Sequence, residues 1–164
     1  MAINNKTYNN VIDTLKNLGE EHQQISTTTT GDIYDIDLEK NTKYPLMHIN
    51  PVNVTTTRTE LIYNFQIFIM DLVDDDNANE QDVYNDVLSI CIDIIAIMSN
   101  SKWQAQATLD LDAPVYFAEG DFTLEPFTER FDQAVTGGVF QLPVTVQNNF
   151  QSCTIPMDNT VIGE

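Results

Sequence analysis

The segment between residues 59 and 100 constrains the fold of this chain more than any other segment. Residues 61–70 are rich in β-branched and aromatic residues, and alternate positions form a wholly apolar face: Leu61, Tyr63, Phe65, Ile67 and Ile69. The other face becomes apolar towards its end, at Phe68, Met70 and Leu72. This alternation predicts a β-strand that is buried on one side at its start and on both sides at its end.

The hydrophobic period changes after an acidic turn at residues 74–79. From Glu80 to Ser99, polar residues recur every three to four positions, and the remaining arc is apolar: Tyr84, Val87, Leu88, Cys91, Ile94, Ile95 and Met98. This spacing predicts an amphipathic helix with a wide buried face. Asn77 or Asn79 is placed to cap it, and acidic residues follow in the first turn, where the helix dipole favours negative charge.

A shorter helix is predicted near the N-terminus, where one helical face is apolar: Tyr8, Val11, Ile12, Leu15 and Leu18. Gly19 follows this face, which predicts that the helix ends there. Residues 25–39 have an extended pattern, and Gly31 within them indicates a bulge or bend. A short strand at residues 46–49 is predicted to lead into a turn at residues 50–51, because proline disfavours a central strand.

The chain after the long helix is typical of antiparallel strands. Residues 103–112 alternate between apolar and polar without interruption, and residues 127–132 are extended. Residues 136–138 predict a turn, and residues 139–148 a last strand with Phe140, Leu142, Val144 and Val146 facing inward. Pro143, on the outward side, indicates an edge strand or a bulge.

These elements predict a single α+β domain over residues 1–150, with a mainly antiparallel sheet flanked by the N-terminal helix and the long helix at about residues 80–99. Residues 151–164 are polar and predict a C-terminal arm. The length of 164 residues fits one domain. No apolar run is long enough to span a bilayer, and the N-terminus has no apolar segment of a secretory signal.

Net charge is the most unusual feature of this composition. The chain has 7 Lys and Arg against 25 Asp and Glu, a formal net charge of −18. Such a surface repels nucleic acid phosphates and anionic membranes instead of binding them. Two interpretations remain: the charge serves solubility alone, or it forms a surface along which DNA slides without sticking.

No group of residues predicts catalysis, a metal or a cofactor. The carboxylate pairs Asp35/Asp37 and Asp110/Asp112 lie two residues apart on predicted strands, so each pair shares a solvated face. His22 and His48 have no second ligand at zinc spacing and are predicted at the surface or its boundary. Cys91 is expected to act as a small buried hydrophobic residue.

Two weaker signals concern ions. Asp75, Asn77 and Asn79 match the first three ligand positions of a calcium loop, but Glu80 stands where glycine is needed, so helix capping explains them better. The scarce arginines, Arg58 and Arg130, are each expected to have a carboxylate partner, either within the chain or across an interface.

Several segments, in their order along the chain, resemble a known family. They are the N-terminal helix, the segment YPLMHI at residues 44–49, the strand at 61–70, the helical segment DVYNDVL at 82–88, and the segments FTERFD at 127–132 and GVFQLPV at 138–144. Together they span about residues 7–153 and resemble the tail terminator and neck-ring proteins of tailed bacteriophages.

This resemblance implies a non-enzymatic virion protein, assembled in the host cytoplasm as a ring of six or twelve copies at the head–tail junction or tail end. DNA would pass through the ring without tight binding, and adjacent connector, neck or tail proteins would contact it. By position, the contact residues would be Pro45, Leu46, Met47, Thr55, Thr56, Thr57, Arg58, Arg130, Phe150 and Cys153. Two alternatives remain: a small acidic adaptor domain that binds a basic protein partner, and an enzyme whose site no sequence motif reveals.

Overall fold

The strand predicted at residues 61–70 forms the centre of a five-stranded sheet in the computed structural model, which describes residues 7–32, 42–74, 76, 78–100, 116, 118–130 and 134–147. The elements in chain order are α1 (Tyr8–Glu21), β1 (Thr27–Thr30), β2 (Leu46–Thr56), β3 (Glu60–Leu72), α2 (Glu80–Ser99), β4 (Glu125–Arg130) and β5 (Ala134–Gln147). The predicted strand at 103–112 and the C-terminal arm lie outside the described residues.

The strand order is β1-β2-β3-β5-β4. β1 runs parallel to β2, and every other neighbouring pair is antiparallel. The predicted α+β domain with a mainly antiparallel sheet and two helices is therefore confirmed.

Both helices contribute to a core on one face of the sheet. β3 supplies its predicted apolar face, and Phe140, Leu142, Val144 and Val146 of β5 point to the same side, as predicted. Val11 and Leu15 of α1 and Val87, Cys91 and Ile94 of α2 are fully buried against them. Each such aliphatic side chain contributes about 1.5–3 kcal/mol by leaving water.

The opposite face of the sheet divides into two halves. At one end Leu46, Phe68, Met70 and Val135 form a second buried apolar cluster, which confirms that β3 becomes buried on both sides. Leu72 departs from this prediction, because its side chain is 39% exposed. At the other end the face carries amide and hydroxyl side chains.

Asn79 at the start of α2 and Gly19 near the end of α1 do not have the roles predicted for them. α2 has the predicted bounds, but the Asn79 side chain makes no cap; its Oδ1 instead accepts the backbone N–H of Asp74 at 2.8 Å. α1 continues through Gly19 to Glu21, so the predicted stop is wrong. A Cβ at Gly19 would lie 2.4 Å from Oγ1 of Thr28, so this glycine allows α1 to approach β1 closely.

β2 is longer than predicted, because the strand continues past Pro51 to Thr56 where a turn was expected. The register with β3 shifts between Pro51 and Asn53. β1 pairs with β2 only as far as Ile49. Pro51 therefore faces no described strand on that edge of β2, and its lack of a backbone N–H costs no hydrogen bond to such a strand. The proline is therefore tolerated inside a strand.

The turn predicted at residues 136–138 is also wrong, because both glycines lie within β5. A Cβ at Gly137 would lie 2.0 Å from the Ile69 carbonyl oxygen, and one at Gly138 would lie 3.3 Å from Sγ of Cys91. The two glycines thus allow close approach of β3 on one side and α2 on the other. Pro143 lies beyond the β4 pairing, which ends at Val139, and this agrees with its predicted edge position.

Candidate interaction surface

The free cysteine of the described residues, Cys91, is buried. Burial raises the pKa of the Cys91 thiol to about 12, so it remains protonated and acts as a small apolar side chain. Within the described ranges, no group of three or more His, Cys, Asp or Glu residues could hold a metal ion. Asp75 and Asn77 lie outside these ranges, so the calcium-loop pattern remains a sequence observation.

The two histidines have structural contacts. His22, at the end of α1, places its Nε2 3.1 Å from Oδ2 of Asp93 in α2, a boundary position as predicted. His48 is only 2% exposed, so its predicted surface position is wrong. Its Nε2 lies 2.9 Å from the Gly31 carbonyl oxygen, which can only accept, so Nε2 carries the proton and Nδ1 accepts the Thr29 hydroxyl at 2.7 Å.

This buried histidine predicts a pH dependence of folding. Burial lowers the pKa of His48 below its ordinary value of 6.5, although the Gly31 carbonyl and the nearby Asp32 carboxylate oppose the shift. The unfolded chain therefore binds more protons than the folded chain below pH 6.5, and the free energy of unfolding should fall as the pH drops from that value. Urea unfolding between pH 7.5 and 5.5 measures this slope. His48→Gln should flatten it; equal slopes in the two proteins would contradict the assignment.

The longest run of exposed residues in the described part of the chain is the end of the β2–β3 hairpin. We call residues 51–60 the outer hairpin. Every residue from 51 to 59 is exposed, and Val52 and Val54 are 49% and 50% exposed. β-Branched residues favour the extended backbone here, and the turn is closed by the Thr57 N–H, which donates to the Glu60 carbonyl at 2.9 Å.

Neutral side chains connect the two strands of this hairpin on the face away from the helices. The Asn64 amide donates to Oδ1 of Asn53 at 2.7 Å and to Oγ1 of Thr55 at 3.3 Å. Further along, the Asn50 amide donates to Oε1 of Gln66 at 3.2 Å. Arg58 and Glu60 are the only charged residues between positions 50 and 66, so the segment is neutral in a chain of charge −18.

The sheet has open strand edges in the same half. β1 pairs with β2 only to Ile49, and β4 pairs with β5 only to Val139, so the following parts of β2 and β5 have no outer partner among the described strands. Pro51 and Pro143 lie on these edges, and proline removes a backbone donor that strand addition would need. These prolines hinder the addition of a further strand at either edge. Association in this half of the sheet is therefore favoured through side chains and not through backbone hydrogen bonds.

A cleft lies beside the Gln66–Gln141 pair of β3 and β5, with a volume of about 280 Å³. We call it the acidic cleft, because Asp121 and Glu125 line it together with Thr123 and the two glutamines. Among the described residues that line it there is no lysine or arginine. Sequence reasoning missed this site, because only the pairing of β3 with β5 places the glutamines beside the segment that precedes β4.

The predicted contact residues divide into four groups. Leu46 and Met47 are 1% and 0% exposed and belong to the cores on the two faces of the sheet, so they are removed from the predicted contact set. Pro45, which follows a cis peptide bond, is half-buried. The threonines at 55–57 and Arg58 lie in the exposed outer hairpin. The Arg130 side chain, Phe150 and Cys153 lie outside the described residues.

Comparison of the chain with protein-family models and with curated proteins finds no match. Among the described residues, no helix has both the length and the apolar character that a bilayer crossing requires.

Proposed function

We propose that this chain is a structural subunit of a tailed-bacteriophage virion, a tail terminator or neck protein that assembles as a ring through which DNA passes. The outer hairpin carries the proposal, because it is a continuous exposed surface without net charge. The resemblance of the sequence segments to that family agrees with this role.

Charge explains why association would use the outer hairpin. Two copies of a chain with net charge −18 repel each other, and a contact through the neutral segment at residues 50–66 brings few like charges together. Six copies would carry a formal charge of 6 × −18 = −108. A ring with part of this charge on its inner surface would repel the phosphates of DNA, which favours passage without adhesion.

The partners in this role are other copies of the chain, in a ring of six or twelve, and the adjacent connector, neck or tail proteins. The ring would act in the virion after assembly in the host cytoplasm. It would need no catalytic step and no cofactor.

Native mass spectrometry and light scattering of the purified chain, alone and mixed with the adjacent virion protein, test the proposal. The subunit mass is 18.6 kDa, so we expect species of 6 × 18.6 kDa, about 112 kDa, or of twice that mass. A monomer under both conditions, with stable binding to a basic protein, would contradict the ring and support the acidic adaptor. Tight binding to duplex DNA at physiological salt would also contradict the proposal.

A further inference from the structure

We infer that Arg58 of one copy binds in the acidic cleft of a neighbouring copy, between Asp121 and Glu125. This inference rests on the proposed self-assembly and specifies the contact that holds adjacent copies together. Nothing in the sequence pattern connects these residues; their complementary positions follow from the fold.

The first argument is unmatched charge. Arg58 is exposed at the turn of the outer hairpin and forms no ion pair with any carboxylate of the described residues. Asp121 and Glu125 are exposed in the cleft, and the described part of its lining contains no lysine or arginine to neutralise them. A protruding cation and a concave site with two carboxylates are complementary in charge and in shape.

The second argument is distance within one copy. Glu60, beside the hairpin turn, pairs with Gln147, whereas the cleft lies at the Gln66–Gln141 pair. Six residues of strand separate these pairs, which is about 20 Å at 3.3 Å per residue. An arginine side chain is too short to bridge that distance, so an Arg58 side chain bound in this cleft would come from another copy.

The third argument is symmetry. The hairpin turn and the cleft are different surfaces of the same subunit, so each copy can donate its Arg58 to one neighbour and receive that of another. Such a head-to-tail contact closes into a ring when the rotation between copies divides a full turn. A contact between two different surfaces is the type from which a cyclic ring is built.

The chemistry of the cleft suits a guanidinium in particular. The planar group presents five N–H donors, and the carboxylates of Asp121 and Glu125, the Thr123 hydroxyl and a glutamine amide oxygen are the acceptors around it. Hydrogen bonds between charged partners are stronger than neutral ones, and a concave site reduces their screening by water.

Charge reversal tests the contact. Arg58→Glu and Glu125→Arg should each weaken self-association about tenfold or more, measured by native mass spectrometry over a dilution series. Lys43→Glu is the matched control, because it reverses an exposed cation at the far end of β2 and changes the net charge from −18 to −20, as Arg58→Glu does. This control should assemble like the natural protein.

Mixing the two reversed variants gives the sharper result. The hairpin turn of the Arg58→Glu variant would meet the reversed cleft of the Glu125→Arg variant, and the intact Arg58 of the second variant would meet the intact cleft of the first. We expect the equimolar mixture to recover rings with an even number of alternating copies. If neither reversal affects a natural protein that does assemble, or if the mixture fails to recover, the Arg58 contact is wrong while the ring proposal stands.

Cross-linking covers the case in which assembly is weak. T59C combined with T123C, in a C153S background, keeps Arg58 and both cleft carboxylates and should form a ladder of multimers with a thiol-reactive cross-linker about as long as an arginine side chain. A direct disulfide is not expected, because it needs Cα atoms within about 7 Å and the Arg58 side chain holds the two chains farther apart. K43C combined with T123C should form no ladder. Absence of the ladder would overturn the contact; absence of any assembly by the natural protein would overturn the ring as well.

Discussion

Replacing Gly137 by alanine is expected to lower the free energy of unfolding by about 3 kcal/mol or more, a large part of the stability of a domain this size. The added Cβ would lie 2.0 Å from the carbonyl oxygen of Ile69 and 2.9 Å from Cα of Met70. Both atoms belong to the backbone of β3, the central strand, so the clash cannot be relieved by rotating a side chain. Urea unfolding followed by circular dichroism measures the loss.

Gly138→Ala is the matched control, because it adds the same methyl group to the next residue of the same strand. Its Cβ would meet Sγ of Cys91 at 3.3 Å and the nearest backbone atom, the Glu125 oxygen, only at 3.9 Å. We expect a cost of about 1 kcal/mol or less, since a side chain of α2 can move by a few tenths of an ångström. Equal unfolding midpoints for the two variants would contradict the close approach of β3 and β5 at Gly137.

Truncating Phe65 to alanine is expected to cost about 3–5 kcal/mol of folding stability. Phe65 is 1% exposed in the middle of β3, and its ring centroid lies 6.3 Å from that of Tyr8 at the start of α1. The truncation would remove buried apolar surface and leave a cavity between the sheet and α1. Thermal and urea unfolding of the variant measure the loss.

Val54→Ala provides the comparison for a residue of the same hairpin. Val54 is 50% exposed in the outer hairpin, and we expect its truncation to change the stability of the isolated subunit by no more than about 0.5 kcal/mol. If Phe65→Ala proved as mild as Val54→Ala, the central position of β3 in the core would be wrong.

The elements with a strong hydrophobic period could be predicted from the sequence. Alternation over residues 61–70 identified β3 and its buried face, and the helical spacing identified α2 with its observed bounds. The exposure of residues 55–58 was also predictable, because threonines and an arginine without apolar alternation favour the surface. In each case the signal lies within a few residues of the chain.

The candidate contact site was predictable only in part. Arg58 was noticed as a scarce cation that needs a carboxylate partner. Asp121 and Glu125 gave no signal, because Asp121 lies in a stretch without a hydrophobic period and Glu125 is the first residue of the short strand β4. Leu46 and Met47 were assigned to a contact surface, but the strands on either side of β2 bury them in the subunit.

The sequence by itself determined which segments are helix or strand and which of their faces are apolar, because the period of apolar residues is a local property. Tertiary structure alone decided the roles of Gly19, Gly137 and His48, and the extension of β2 through Pro51. The three contacts depend on atoms from a segment distant in the chain: Thr28 lies against Gly19 of α1, the Ile69 carbonyl lies against Gly137 of β5, and the Gly31 carbonyl lies beside the ring of His48. The extension of β2 depends on the absence of a described strand outside Pro51. Such contacts exist only after the sheet has formed, so no pattern within the segment itself can reveal them.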